Sequence, residues 1–228
     1  MSTHTLLPHK PEAVLFDLDG TLIDSVEDLG QAANILRQHH DLPNLPVALY
    51  RPLIGSGARG ILTAAFPDTD PNSTEFDQLC TDFYDLYAQC MGQQTRTFEG
   101  VDALLRTLEQ HQIHWGIVTN KSERFAIPLI AALPELRHAP ILICGDTLEH
   151  AKPHPLPLQE AARRLGVSPT RSIYVGDDRR DMLAGQSAGM RTVAALYGFI
   201  PSPEATLDWP ADQRIDQPLD LLNLLHLA

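Results

Sequence analysis

Five short apolar runs, separated by helical patterns, constrain the fold of this 228-residue chain more than any other feature. The runs are rich in Val, Ile and Leu and do not alternate with polar residues, which is typical of strands covered on both faces. They span residues 13–17, 114–119, 140–144, 172–176 and 192–196. Because strands that alternate with helices are joined by crossover connections, the sequence predicts an α/β fold with a doubly wound, Rossmann-like parallel sheet.

The segment between the first two predicted strands is nearly a hundred residues long, far more than one crossover helix requires. Helical patterns fill it, with proline-bearing loops between them, at residues 26–39, 59–65 and 75–91. We therefore predict a small α-helical cap domain of residues 23–95, inserted into an α/β core of residues 1–22 and 96–228.

Polar side chains follow four of the predicted strands. In chain order they are Asp17 and Asp19, Thr119 and Asn120, Lys152, and Asp177 and Asp178. In open α/β sheets, ligands bind outside the carboxyl ends of the strands, so these side chains are expected to meet in one crevice. The sequence thus predicts carboxylates, a hydroxyl and an ammonium around a single site.

This set of groups suits phosphoryl transfer. A carboxylate such as Asp17 can attack phosphorus and form an acyl-phosphate, provided that a divalent cation and fixed donors neutralise the charge. Mg²⁺ prefers oxygen ligands, which Asp17, Asp177 and the carbonyl of Asp19 can supply. Thr119, the amide that follows it and Lys152 can donate to phosphoryl oxygens. The Asp19 side chain is then available as the acid that protonates the leaving oxygen.

The same residues resemble the four motifs of the haloacid dehalogenase superfamily of hydrolases. The matching stretches are DLDGT at 17–21, VTN at 118–120, KPHP at 152–155 and GDDRRD at 176–181. The resemblance covers residues 12–200 and implies that the inserted helices are a C1 cap. It also implies that Asp17 is the nucleophile and Asp19 the acid and base of a Mg²⁺-dependent phosphatase.

For the other motif residues, the resemblance implies phosphate binding by Thr119, Asn120 and Lys152 and metal binding by Asp177. It leaves a supporting role at the metal site for Asp181 or Asp178, and we rank Asp181 first. The metal ligands implied are therefore Asp17, Asp19 and Asp177, with Mg²⁺ as the cofactor.

Residue chemistry narrows the reaction within the superfamily. Its dehalogenases lack the second aspartate of the first motif, whereas Asp19 is present here. Its phosphonatases need a cap lysine, and the three lysines of this chain, Lys10, Lys121 and Lys152, lie outside the predicted cap. A phosphate-ester hydrolase is therefore favoured. A sugar phosphomutase on the same core stays open as an alternative.

A second alternative, from another class, is a phospho-accepting signalling domain. Such domains also use an aspartate, Mg²⁺, a threonine and a lysine on a parallel sheet. Their accepting aspartate follows the third strand, whereas Asp17 follows the first strand here and a long insertion comes after it. The order of the motifs therefore favours the hydrolase.

The likeness is greatest to the phosphoglycolate phosphatase-like group, which includes the bacterial N-acetylmuramic acid 6-phosphate phosphatases of cell-wall sugar recycling. Supporting stretches include IGSGARG at 54–60 and WGIVTNKSERFAIPLI at 115–130. The substrate expected from this likeness is N-acetylmuramic acid 6-phosphate or 2-phosphoglycolate, both of which carry a carboxylate. Arg59, with Arg51 as a second candidate, is predicted to bind that carboxylate, although Arg59 reads equally well as a surface helix residue.

Composition limits the partners. With 29 acidic and 17 basic residues, the chain has a formal net charge of −12, which disfavours nucleic acid and anionic membrane surfaces. It shows no apolar run long enough to span a bilayer, no secretion signal in its first ten residues and three scattered cysteines. We expect a cytoplasmic enzyme with a small-molecule substrate, either a monomer or a homodimer.

Overall fold

The computed structural model describes residues 10–227 and contains eight strands and eight α-helices within that range. The strands are β1 (Ala13–Phe16), β2 (Ile23–Asp24), β3 (Arg96–Thr97), β4 (His114–Val118), β5 (Leu142–Ile143), β6 (Ser172–Gly176), β7 (Arg191–Ala195) and β8 (Gln213–Ile215). The helices are α1 (Val26–His39), α2 (Gly57–Ala65), α3 (Thr74–Cys90), α4 (Val101–Gln110), α5 (Glu123–Ala132), α6 (Leu156–Leu165), α7 (Arg179–Ala188) and α8 (Asp220–Leu224).

Six strands form one sheet in the order β5-β4-β1-β6-β7-β8, and every pair in it is parallel. Apolar clusters cover both faces. Val14 and Phe16 of β1 pack into one cluster and Leu15 packs into another, because successive side chains of a strand point to opposite faces. The predicted α/β fold with a doubly wound parallel sheet is confirmed.

Two elements of the core were not predicted. The strand β8 reads Gln-Arg-Ile and only Ile215 is buried, so it lacks the apolar run that marks the other strands. It lies at the edge of the sheet, where such a sequence is tolerated. The helix α5 contains Pro128 in its interior, a residue that normally interrupts a helical pattern.

The helices α1, α2 and α3 match the three helices expected between the first two strands, with ends within two residues of the prediction. They share an apolar cluster of their own, which includes Phe76 and Phe83 and to which the core adds Phe125 and Phe199. The short antiparallel pair β2–β3 joins the chain where it leaves the core and where it returns. We propose that residues 23–95 are the cap and that residues 1–22 and 96–228 are the core; residues 1–9 and 228 lie outside the described part of the chain.

Between residues 10 and 227, the structure contains no helix with the length and apolar character needed to cross a membrane.

Candidate active site

A pocket of about 420 Å³ lies between the carboxyl ends of the strands and the cap helices. Its polar side, here called the strand-end floor, consists of residues that follow β1, β4 and β6: Asp17, Asp19, Thr119, Asn120, Asp177 and Asp178. Its opposite side, here called the aromatic wall, consists of rings from α3 and α5: Phe83, Tyr84, Tyr87 and Phe125. The pocket therefore joins a charged surface to an apolar one.

Lys152 lies beneath the strand-end floor, with a side chain that is 3% exposed. Its Nζ atom is 2.9 Å from Asp17 Oδ1 and 2.7 Å from Asp181 Oδ1, and it donates to the Tyr174 hydroxyl at 2.8 Å. The Tyr174 hydroxyl in turn donates to the carbonyl of Val118 at 2.7 Å. Burial acts to lower the pKa of Lys152, but the Asp17 and Asp181 carboxylates raise it above its ordinary value, so the ammonium stays charged.

Asp17 keeps one oxygen available for a further partner. Its Oδ1 atom is buried, and its close partner in the described range 10–227 is the Lys152 ammonium, 2.9 Å away. Oxygens of Asp17, Asp177 and Asp181 all lie within 4.8 Å of one another. Three carboxylates thus share one neighbouring ammonium, a charge imbalance that a divalent cation with oxygen ligands would remove. The donor set fits Mg²⁺.

Asp177 is held in place by the loop after β1 and by the backbone after β7. Its Oδ2 atom accepts from the amide of Phe199 at 2.7 Å, and its Oδ1 atom accepts from the Thr21 hydroxyl at 3.2 Å. Gly20 has a positive φ of 84°, and a Cβ atom there would overlap the Asp177 carboxylate, so the turn requires glycine. Burial and the nearby Asp17 and Asp181 carboxylates raise the pKa of Asp177 well above its ordinary value.

Asp19 makes contacts that the sequence did not predict. Its Oδ1 atom accepts from the Ser25 hydroxyl at 2.6 Å, and its two oxygens lie 3.2 and 3.1 Å from the ammonium of Lys121. The Lys121 side chain is 9% exposed, and its Nζ atom lies 4.8 Å from the centre of the Tyr87 ring. Burial acts to lower the pKa of Lys121, but Asp19 raises it above the ordinary value. Contacts with Ser25 and Lys121 therefore hold the Asp19 side chain in a fixed orientation.

Asn120 binds the loop that carries Lys152. Its side-chain amide donates to the carbonyl of Lys152 at 2.9 Å and accepts from the amide of Lys152 at 3.0 Å. Thr119 lines the pocket, and its hydroxyl accepts from the amide of Lys121 at 3.2 Å. Both residues are thus brought to the strand-end floor, but the Asn120 side chain is used to position Lys152.

Asp178 and Asp181 have different surroundings although they lie three residues apart. Asp178 caps α7 and binds Arg180 through both carboxylate oxygens. Asp181 is 1% exposed; its Oδ2 atom accepts from the amide of Asp178, and its Oδ1 atom pairs with Lys152. Burial raises the pKa of Asp181, which Lys152 opposes. Asp181 therefore belongs to the group of three close carboxylates, whereas Asp178 faces Arg180.

Arg59 and Arg51 are not among the residues that line the pocket, and their contact with the substrate stays a prediction. The Arg59 guanidinium pairs with Asp77 at 3.0 Å, binds the carbonyl of Pro71 and lies over the Phe76 ring. The Arg51 guanidinium is 2.8 Å from Asp24 Oδ2, and it also lies over a ring of the core. Packing of α2 against α3 directs Arg59 towards the start of α3.

Three residues of the site were missed by sequence reasoning: Tyr174, Ser25 and Lys121. Tyr174 is the one aromatic residue in an otherwise small and aliphatic strand. Ser25 directly precedes α1, where a serine is expected to cap the helix, yet its hydroxyl binds Asp19. Lys121 follows Thr119 and Asn120 directly, and that adjacency was a signal available in the sequence.

The aromatic wall brings a phenol close to Lys121. Tyr87 is 1% exposed, and its hydroxyl has no hydrogen-bond partner within the described range 10–227. Burial raises the pKa of Tyr87, so the hydroxyl keeps its proton. Beside it, the rings of Tyr84 and Phe125 are stacked with their centres 5.5 Å apart. The wall therefore combines broad apolar surfaces with one unused donor.

Comparisons with known proteins agree with this geometry. The model of a family described as haloacid dehalogenase-like hydrolase matches residues 14–195. The chain is 44% identical to a phosphoglycolate phosphatase of Xanthomonas campestris pv. campestris, over 92% of this chain and 95% of that protein. It is 36% identical to an N-acetylmuramic acid 6-phosphate phosphatase of Pseudomonas aeruginosa, over 95% and 96%.

Among solved structures, a protein described as a predicted phosphoglycolate phosphatase of Haemophilus somnus superposes with a TM-score of 0.81. The two chains are 26% identical, and the match covers 96% of this chain and 99% of the other. Both the sheet and the inserted helices are therefore shared along nearly the whole length.

Proposed function

The chain belongs to the haloacid dehalogenase-like hydrolase family and is a phosphatase that acts on a small phosphate ester, and from this premise we propose that Asp17 is its nucleophile. The observation that carries the proposal is the position of Asp17 in the strand-end floor, where it lines the pocket and one of its oxygens lies 2.9 Å from the Lys152 ammonium. The Lys152 ammonium beside it lowers the cost of bringing a phosphate to a carboxylate.

The reaction then has two steps. In the first step, which Asp19 enters protonated, Asp17 attacks phosphorus and an aspartyl-phosphate forms. The ester P–O bond breaks, and Asp19 gives its proton to the departing alcohol oxygen. In the second step Asp19 takes a proton from the attacking water, the acyl-phosphate bond is hydrolysed and Asp17 is released as a carboxylate. In this proposal Thr119, which lines the pocket, donates to the phosphoryl oxygens, and the Lys152 ammonium balances their charge.

We further propose Mg²⁺ as the cofactor, held by Asp17, Asp177 and the carbonyl of Asp19. When bound, Mg²⁺ neutralises phosphoryl charge and orients the phosphate for in-line attack. Asp181 supports this site because it pairs with Lys152 and lies within 4.8 Å of the other two carboxylates. The free thiols of Cys80, Cys90 and Cys144 suit a reducing compartment, and we propose a cytoplasmic location.

The pocket favours a sugar phosphate over a two-carbon ester. Its volume of about 420 Å³ lies within the range typical of sites for medium-sized ligands. A glycolate leaving group would fill little of the space between the strand-end floor and the aromatic wall, whereas the apolar face of a pyranose ring can pack on Tyr84 and Phe125. We therefore propose N-acetylmuramic acid 6-phosphate, the substrate named for the Pseudomonas relative, ahead of 2-phosphoglycolate.

The test is a phosphate-release assay on N-acetylmuramic acid 6-phosphate, 2-phosphoglycolate and hexose phosphates, with and without Mg²⁺. We expect turnover that needs Mg²⁺ and is abolished by a chelator, with the highest kcat/KM on the muramic acid ester. Turnover that is equally fast after the metal has been removed would contradict the metal proposal. Preference for a hexose 1-phosphate with transfer of the phosphate within the sugar would indicate a mutase instead.

A further inference from the structure

A buried ammonium and a buried phenol stand side by side where the strand-end floor meets the aromatic wall. The Lys121 Nζ atom lies 4.8 Å from the centre of the Tyr87 ring, and both residues line the pocket. The two side chains come from different parts of the chain, because Lys121 follows β4 and Tyr87 belongs to α3 of the cap. The pair therefore spans the pocket between core and cap.

The Tyr87 hydroxyl needs an acceptor. It is buried beside Lys121, and no group within residues 10–227 accepts its proton. The nearby Lys121 ammonium can only donate, so it cannot accept the hydroxyl proton. A buried donor without an acceptor destabilises the folded protein, and a ligand oxygen that accepts the proton would remove that cost.

Lys121 also has capacity for a second anion. An ammonium carries three donors: Asp19 takes two of them at 3.2 and 3.1 Å, and the third lies on the side of Tyr87, where a ligand oxygen can share it. The other cation that lines the pocket in the described structure, Arg180, already binds Asp178 through two nitrogens and contacts the carbonyl of Gly55. Since Arg51 and Arg59 lie outside the pocket, Lys121 is the cation best placed for an anionic group on the leaving alcohol.

We propose that Lys121 and Tyr87 form an anion subsite that binds the carboxylate of the substrate's leaving group. This inference rests on the proposed phosphatase reaction and deepens it. One carboxylate oxygen accepts from the Tyr87 hydroxyl and the other from Lys121, while the phosphate lies at Asp17. Because Lys121 also touches Asp19, a bound carboxylate aligns the leaving alcohol with the residue that protonates it.

The experiment compares matched ester pairs that differ in the carboxylate. N-acetylmuramic acid 6-phosphate is paired with N-acetylglucosamine 6-phosphate, which lacks the lactyl ether, and 2-phosphoglycolate is paired with ethyl phosphate. The wild-type enzyme is expected to prefer the carboxylated member of at least one pair by about 10- to 100-fold in kcat/KM, as charged hydrogen bonds of this kind provide.

The decisive variant is Tyr87→Phe, which keeps the ring and does not touch Asp19. It is expected to reduce that preference by about 10-fold, mainly through a higher KM for the carboxylated ester. Lys121→Met is expected to slow both esters, because Asp19 loses its partner, and to abolish the preference. Tyr50→Phe is the matched control, because Tyr50 is a buried cap tyrosine that donates to Asn34 and lies outside the pocket. The Tyr50→Phe enzyme should show the same preference for the carboxylated ester as the wild type.

The subsite would be overturned if Tyr87→Phe and Lys121→Met each lowered kcat/KM equally for both members of a pair. It would also be overturned if the wild-type enzyme showed no preference in either pair. A wild-type protein that releases phosphate from none of the four esters would instead contradict the proposed function. If the wild-type enzyme is active and both variants keep its preference for the carboxylated ester, only the subsite is overturned and the proposed function stands.

Discussion

The strand-end floor and the aromatic wall of the pocket are built in opposite ways. Charged groups of the floor are fixed by several partners each; Asp177, for example, accepts from the Phe199 amide and from the Thr21 hydroxyl. Rings of the wall are fixed mainly by packing, as in the stacked pair Tyr84 and Phe125. The floor belongs to the buried sheet, whereas most of the wall belongs to an inserted helix.

This difference implies that the floor carries out the reaction and that the wall selects the substrate. A phosphoryl group presents the same charges whatever alcohol carries it, so the floor can be rigid and specialised for one reaction. The alcohol differs between substrates. Substitutions that change the size and shape of the wall side chains can match the pocket to a different alcohol. Substitutions in the floor are therefore expected to lower kcat for every ester, whereas substitutions in the wall should alter KM for particular esters.

The largest effect is expected for Asp17→Asn. The neutral amide cannot attack phosphorus, so kcat should fall by roughly 10³-fold or more on all esters. Phosphate release with saturating substrate measures it, and circular dichroism verifies that the variant is folded. Asp102→Asn, an exposed change on α4, is the matched control and should retain full activity. Full turnover by Asp17→Asn would overturn both the mechanism and the contrast between floor and wall.

The next largest effect is expected to distinguish two acids at the start of α7, Asp181 and the capping residue Asp178. Asp181→Asn removes a carboxylate from Lys152 and from the group of three, so the Mg²⁺ concentration for half-maximal activity should rise by about 10- to 100-fold. Asp178→Asn keeps an acceptor for the helix cap and should change that concentration by less than about 3-fold. Titration of activity with Mg²⁺ measures both. A larger shift for Asp178→Asn would show that it, and not Asp181, supports the metal.

Much of the floor could be predicted from the sequence because its residues directly follow buried strands. Asp17 comes after Phe16 and Asp177 after Gly176, so the position of the strand determines the position of the acid. Five of the six strands of the parallel sheet follow from the same pattern, and β8 does not. Only Ile215 of β8 is buried, and a strand at the sheet edge needs no apolar run.

The remaining contacts depend on packing between distant segments, which a local pattern does not contain. Lys121 and Asp19 are 102 positions apart, and their pairing requires β1 and β4 to be neighbours in a known register. Arg59 looked like a substrate contact because glycine and serine precede it. The Asp77 carboxylate fixes the direction of the Arg59 side chain instead. Asp77 lies on α3, and the packing of α3 against α2 is not contained in a local sequence pattern.

A smaller effect is expected in the wall. Tyr84 is 39% exposed and stacks on Phe125, so it offers a ring face to a bound sugar. Tyr84→Ala should raise KM for N-acetylmuramic acid 6-phosphate by about 10-fold and leave KM for 2-phosphoglycolate within about twofold. Tyr84→Phe keeps the ring and should restore KM for the sugar ester. If Tyr84→Ala raised KM equally for both esters, the wall would not be selective for the alcohol.

The smallest effect is expected for Arg59→Ala, which tests whether α2 takes part in binding the substrate. The Arg59 side chain is 53% exposed and its partner Asp77 is 67% exposed, so the ion pair contributes about 0–1 kcal/mol to stability. Since the guanidinium is directed to the start of α3, kcat/KM on both matched ester pairs should change by less than about twofold. A fall of 10-fold or more on the carboxylated esters alone would mean that α2 moves Arg59 into the pocket when substrate binds. Carboxylate recognition would then belong to the cap helix as well as to Lys121 and Tyr87.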